Sequence, residues 1–116
     1  MKAVALLFPL LSLLLTACHP ADSLSVKGGD PVQYQCEGGE TITVRYFSLT
    51  DDSLNFIKLT LPENQQVTLP QVVSGSGARY SDGHDWSWWS KGQGGFVEQP
   101  DDSGEWQTAF GACQQQ

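Results

Sequence analysis

Ser76, His84 and Asp85 bring a hydroxyl, an imidazole and a carboxylate close together in sequence, the three groups of a nucleophilic triad. A base and the acid that orients it must converge from a rigid scaffold, and His84 and Asp85 are neighbours in a short turn, so their spacing argues against that chemistry. The chain has only two histidines, His19 and His84. With so few imidazoles it lacks the Cys/His/carboxylate cluster a metal site needs, and no metal or cofactor is expected. Asp51-Asp52 and Asp101-Asp102 read as solvated turn residues, not as the flanking carboxylates of a glycosidase. The expectation is a binding protein and not an enzyme.

Binding chemistry concentrates between Ser74 and Gly92, SGSGARYSDGHDWSWWSKG. Ser74-Gly75-Ser76-Gly77 is an adaptable loop whose backbone few side chains shield. Asp82-Gly83 signals a hairpin, and a four-residue turn over 82–85 would set Ser76 opposite Lys91. A hydroxyl and an ammonium would then stand side by side at one rim; composition alone reads Lys91 as a solvated surface lysine. All four Trp lie between Trp86 and Trp106. They fit a core or a sheet face, with a sugar-stacking surface as the alternative.

The elements around this segment alternate with period two. Val32, Tyr34 and Cys36 share one face of a first strand, and Ile42, Val44 and Tyr46 share one face of a second, with Glu37-Gly38-Gly39-Glu40 as the hairpin between. Ile57, Leu59 and Leu61 form a third face, and Val67 and Leu69 a fourth. Ala78 to Ser81, Trp86 to Lys91, Phe96-Val97 and Trp106 to Cys113 complete seven or eight short strands. The pattern predicts an all-β sandwich or barrel, with the barrel preferred. Cys36 ends the first strand and Cys113 the last, so a disulfide between them would join the two ends of a small domain.

Thirteen acids against six bases give a formal charge of −7, which excludes the basic face that nucleic acid requires. Lys2 followed by the apolar run Ala3 to Leu15 reads as a secretory signal, too short for a bilayer span of about 20 residues. Leu15-Thr16-Ala17-Cys18 resembles the lipobox of bacterial lipoproteins, in which cleavage precedes a Cys that carries lipid. Lipidation would account for the odd third cysteine. Loss of residues 1–17 leaves five bases against thirteen acids, a charge of −8, so attachment would be by acyl chain and not by charge. Residues 18–31 then read as the lipidated Cys and a flexible tether, and 32–116 as the β domain. His19 after the Cys is not the Asp of inner-membrane retention, which implies the periplasmic face of a Gram-negative outer membrane.

The β domain resembles the MliC/PliC-type inhibitors of C-type lysozyme. The motifs run in order: Tyr34-Gln35-Cys36, Val44-Arg45-Tyr46, Leu69-Pro70-Gln71-Val72, Ser76-Gly77-Ala78-Arg79-Tyr80, Trp89-Ser90-Lys91-Gly92 and Cys113. Two departures are Gly95, where the family usually has Ala, and a longer, Trp-rich stretch from Ser81 to Trp88. The resemblance implies an eight-stranded antiparallel barrel closed by the disulfide, with C-type lysozyme as protein partner. Ser76 and Lys91 match the inhibitory contacts, with Gly77, Arg79, Tyr80, Trp89 and Gly92 beside them in the same motifs. The alternative function is a small-ligand or glycan-binding envelope lipoprotein that uses the Trp-rich surface.

Overall fold

The computed structural model describes residues 23–116 together with Ala3 and Ala5. Cys18, His19 and the rest of the leader lie outside the described residues. Eight strands follow in chain order: β1 Val26–Gln35, β2 Thr41–Leu49, β3 Asn55–Thr60, β4 Gln66–Val72, β5 Ala78–Ser81, β6 Ser87–Lys91, β7 Gly94–Pro100 and β8 Trp106–Gln115. A single 3-10 turn, Pro62–Asn64, separates β3 from β4. Each strand pairs antiparallel with the next, and Tyr34↔Gln115 and Gln35↔Gln114 join β1 to β8 to close the barrel. Of sandwich and barrel, the barrel is the outcome. Cys36 and Cys113 are disulfide-bonded beside that short seam, where few backbone pairs hold the closure. Strands, bridge and core all fall within Val26–Gln115, which is therefore the folding unit.

Alternation sorts the side chains as the sequence predicts. Ile42, Val44, Ile57, Leu59, Leu69, Trp88 and Val97 fill the interior with essentially no exposure. Thr43, Arg45, Lys58 and Thr68 lie on intervening positions of the same strands. Apolar inside and polar outside is the reverse of a barrel that spans a membrane. Among the described residues no helix is long and apolar enough to cross one.

The first strand begins at Val26, inside the stretch read as tether, so residues 26–31 belong to the barrel. The sequence hides this because β1 carries a bulge: its pairing with β2 slips by one residue between Gly28 and Pro31. Gly28 has φ +91, and a Cβ there would lie 2.6 Å from the Tyr46 carbonyl oxygen. Only glycine lets the strand pass that close. Alternation is lost through the bulge, and the segment reads as irregular.

The two departures from the family pattern meet inside the barrel. A Cβ on Gly95 would overlap the Trp88 indole and come 2.5 Å from the Trp89 carbonyl oxygen. Trp88, fully buried, occupies the room that the missing methyl leaves.

Candidate functional site

Connections alternate between two rims of the barrel. The start of β1, the 50–54 turn, the 73–77 loop and the 92–93 turn share one, called here the N-terminal rim; the 36–40, 61–65, 82–86 and 101–105 turns share the other. Ser76, Gly77, Lys91 and Gly92 all lie on the N-terminal rim, exposed.

The β5–β6 hairpin sets their relative position. Its turn has five residues and not four: Asp82 Oδ1 accepts backbone N–H bonds from His84 at 3.0 Å, Asp85 at 2.8 Å and Trp86 at 3.0 Å. Ser81 Oγ donates to the Trp86 carbonyl at 2.9 Å and draws Trp86 into the turn and against the core. Partial burial pushes the Asp82 carboxyl up, but the N–H groups of Trp86, Asp85 and His84 outweigh it and hold the group below the ordinary carboxylate range. The ladder therefore restarts at Ser81↔Ser87 and runs to Ala78↔Ser90. One step further, Gly77 and not Ser76 faces Lys91, which corrects the register expected from a four-residue turn. Gly77 has φ +68, and a Cβ on it would come 3.3 Å from Lys91 Cβ and 2.5 Å from the Ser90 carbonyl oxygen. Ser76 stands one residue out, in a loop closed by Ser74 Oγ donating to the Gly77 carbonyl at 2.8 Å.

Lys91 ends β6 before the two-residue turn Gly92-Gln93, with Gly92 at φ +59. Its ammonium is in no ion pair among the described residues, whereas Lys27 on the same rim lies 3.4 Å from Asp52. The rim also carries the large apolar side chains that stand most exposed among the described residues: Leu24, Val26, Leu54 and Val73, the last 97% exposed at the start of the Ser76 loop. Val73 is an exposed apolar rim residue that motif reading misses. Its signal is an apolar residue set directly against Ser-Gly-Ser-Gly.

The other motif residues have structural positions. Arg79 and Trp89 lie on the outer wall: Arg79 Nε donates to Ser87 Oγ at 3.0 Å, and its guanidinium sits 5.5 Å from the Trp89 ring and 5.1 Å from that of Trp106. Trp89 Nε1 donates to Glu98 Oε1 at 2.6 Å, and the ring stacks on Phe96. This belt ties β5, β6, β7 and β8 together behind the two loops. Tyr80 points inward and is only 7% exposed.

The four Trp do not form one exposed platform. Trp86 and Trp88 are buried, and Trp89 packs against both Phe96 and Arg79. A Ser76/His84/Asp85 triad does not form either, because Ser76 precedes β5 and His84 follows it, on opposite rims. His84 Nδ1 lies 3.1 Å from Asp85 Oδ2 and 3.8 Å from Asp82 Oδ2 in an exposed turn.

Fold and site together define a small disulfide-closed barrel whose motif loops gather at one rim. Residues 34–106 match the family described as membrane-bound lysozyme-inhibitor of c-type lysozyme. The membrane-bound lysozyme inhibitor of C-type lysozyme from Cupriavidus necator is 36% identical over 104 residues, covering 83% of this chain and 76% of its own. A relative of the same name from Yersinia enterocolitica is 42% identical over 86 residues, 74% of this chain and 64% of that protein. Among solved structures, Pseudomonas aeruginosa MliC in complex with hen egg white lysozyme matches with a TM-score of 0.59 at 22% identity, covering 100% of this chain and 98% of that one; it shares the fold. This chain belongs to the family of membrane-bound inhibitors of C-type lysozyme.

Proposed function

We propose that this protein inhibits C-type lysozyme by inserting the Ser76 loop and Lys91 into the enzyme's active-site cleft, so protecting peptidoglycan from hydrolysis. The observation that carries the reading is Lys91: an exposed cation, free of any ion pair among the described residues, held at the rim against Gly77. C-type lysozyme works with a glutamic acid of raised pKa and an ionised aspartate. An ammonium between them forms charge-assisted hydrogen bonds in a site from which water is excluded. It also favours the ionised glutamate and so removes the general acid. Ser76 adds a hydroxyl hydrogen bond, and Val73 supplies the apolar contact a protein interface places at its centre. Gly77 and Gly92 shape the two turns; Arg79, Tyr80 and Trp89 hold them from behind.

The protein acts at the outer membrane, facing the periplasm, held by lipid on Cys18 after removal of residues 1–17. The lipobox supports this, as does the name membrane-bound carried by the relatives. The experiment is a titration of the chain from residue 19 onward into a lysozyme assay on peptidoglycan. Inhibition that saturates near one equivalent is expected, and undiminished hydrolysis at large excess rejects the proposal. For the anchor, Cys18→Ala should leave the membrane fraction; a variant that still sediments with outer membrane removes the lipid from the account.

A further inference from the structure

A second feature of the N-terminal rim lies beside the loops and not on them. A cavity of about 360 Å³ opens there between the start of β1, the end of β2, the start of β3 and β5, lined by Lys27, Tyr46, Ser48, Asn55 and Tyr80. Its walls hold an unusual group. Tyr80 is 7% exposed, yet its hydroxyl makes no hydrogen bond among the described residues, while the other interior tyrosines are engaged. The hydroxyl is not closed off from solvent: it opens into the cavity and is free to donate there. Burial, and then the neighbouring Tyr46, keep the phenol protonated, so it is a hydrogen-bond donor.

Tyr46 supplies a second donor. Its oxygen accepts from Trp88 Nε1 at 3.0 Å and lies 2.9 Å from Tyr34 Oη. With Tyr34 donating in that pair, the Tyr46 proton is free to face the cavity. Lys27 stands at the mouth with one carboxylate partner, Asp52 at 3.4 Å, and further N–H groups to give. Asn55 is turned to its neighbour, donating from Nδ2 to Gln71 Oε1 at 2.9 Å. Two phenols, a serine hydroxyl and an ammonium make a donor-rich mouth, and the edge-packed rings of Tyr46 and Tyr80 line an aromatic side. Such a site suits a ligand with a concentrated acceptor group on a small apolar body.

We propose that this cavity binds a small organic carboxylate, its oxygens accepting from Tyr80 and Tyr46 with Lys27 at the rim. The assignment does not rest on the lysozyme reading, and its test contains no enzyme. Benzoate is the probe, titrated into ¹⁵N-labelled chain from residue 19 onward, with benzamide as its uncharged counterpart. Saturable shifts at Ser48, Asn55 and Tyr80 in the millimolar range are expected, with benzamide weaker. Tyr80→Phe should lower benzoate affinity about fivefold, as loss of one hydrogen bond does, while thermal stability holds. Lys27→Met, outside the core, should lower affinity without touching the fold. Benzamide binding as tightly as benzoate, shifts that map elsewhere, no saturable shifts, or parent-like affinity in Tyr80→Phe would each overturn the assignment.

Discussion

The two rims of the barrel are built from similar hairpins and carry opposite chemistry. The 36–40, 61–65, 82–86 and 101–105 turns hold eight of the thirteen acids, Glu37, Glu40, Glu63, Asp82, Asp85, Asp101, Asp102 and Glu105, and no Lys or Arg. The N-terminal rim carries Lys27, Lys91 and the exposed apolar residues Leu24, Val26, Leu54 and Val73. Its Asp51 is spent on its own turn, accepting from Ser53 N at 3.0 Å and Ser53 Oγ at 2.7 Å. Acids on the far rim close its turns, as Asp101 does for Ser103 and Glu105. The exposed large apolar side chains stand on the rim that lacks the charge excess. An overall formal charge of −7 therefore says little about where a partner docks.

The comparison breaks most directly at Lys91. If the N-terminal rim is the contact face, Lys91→Ala strips the partner's desolvated carboxylates of their counter-ion, at a cost of roughly 2–5 kcal/mol or about 30-fold or more in affinity. Its melting temperature should stay at the parent value, because an exposed rim lysine adds little to the fold. Calorimetric titration against lysozyme reads the first effect and a thermal melt the second. Parent-like affinity would move the contact face elsewhere.

A smaller effect tests the barrel that holds the rims apart. Gly95→Ala drives a methyl into the Trp88 ring and should cost about 1–3 kcal/mol of stability. In a Trp88→Phe background the same change should cost less, because the clashing part of the indole is gone. Equal costs in both backgrounds would show that Gly95 and Trp88 are not coupled.

Much of this was legible before any coordinates. Alternation exposed the inward faces of β2, β3 and β4, because each strand buries one side and wets the other. The Cys36–Cys113 bridge was legible because two cysteines flanked the strand series. The bulge at Gly28 was not, since a bulge abolishes the period that reveals a strand. Nor was the register at Ser76. It depends on whether Asp82 gathers two backbone N–H groups or three, and the third, from Trp86, comes with burial of the indole that local sequence does not report. Of the motif residues, Ser76, Gly77, Lys91 and Gly92 do share a rim. That Tyr80 turns inward was not legible, because a motif shows that a residue sits there, not which way its strand turns it.

The turn acids of the far rim predict a pH dependence of their own. Asp82 and Asp101 both have carboxyls lowered by hydrogen bonds within their turns, in Asp101 first from Ser103 and then from the Glu105 N–H. A lowered native pKa means stability that is complete above the unfolded value, about 4 for Asp, and is lost as pH falls through the native one. Melting temperature should therefore be flat from neutral pH down to about 5 and fall below about 4. Asp82→Asn should flatten the acid limb, and an unchanged limb would mean that these turns do not govern it.

The smallest effect concerns encounter. The acidic rim attracts a cationic enzyme from a distance but faces away from Lys91, so its field speeds approach without orienting it. Glu63→Gln, Asp102→Asn and Glu105→Gln together remove three exposed charges that close no turn through their side chains. At low salt the association rate should fall by no more than about threefold, and the dissociation rate should not change. Near physiological ionic strength, where screening acts over about 8 Å, even that difference should vanish, because the far rim lies well beyond one screening length from the docked face. Stopped-flow association at two salt concentrations checks this. An altered dissociation rate would place the far rim inside the interface and undo the division between the rims.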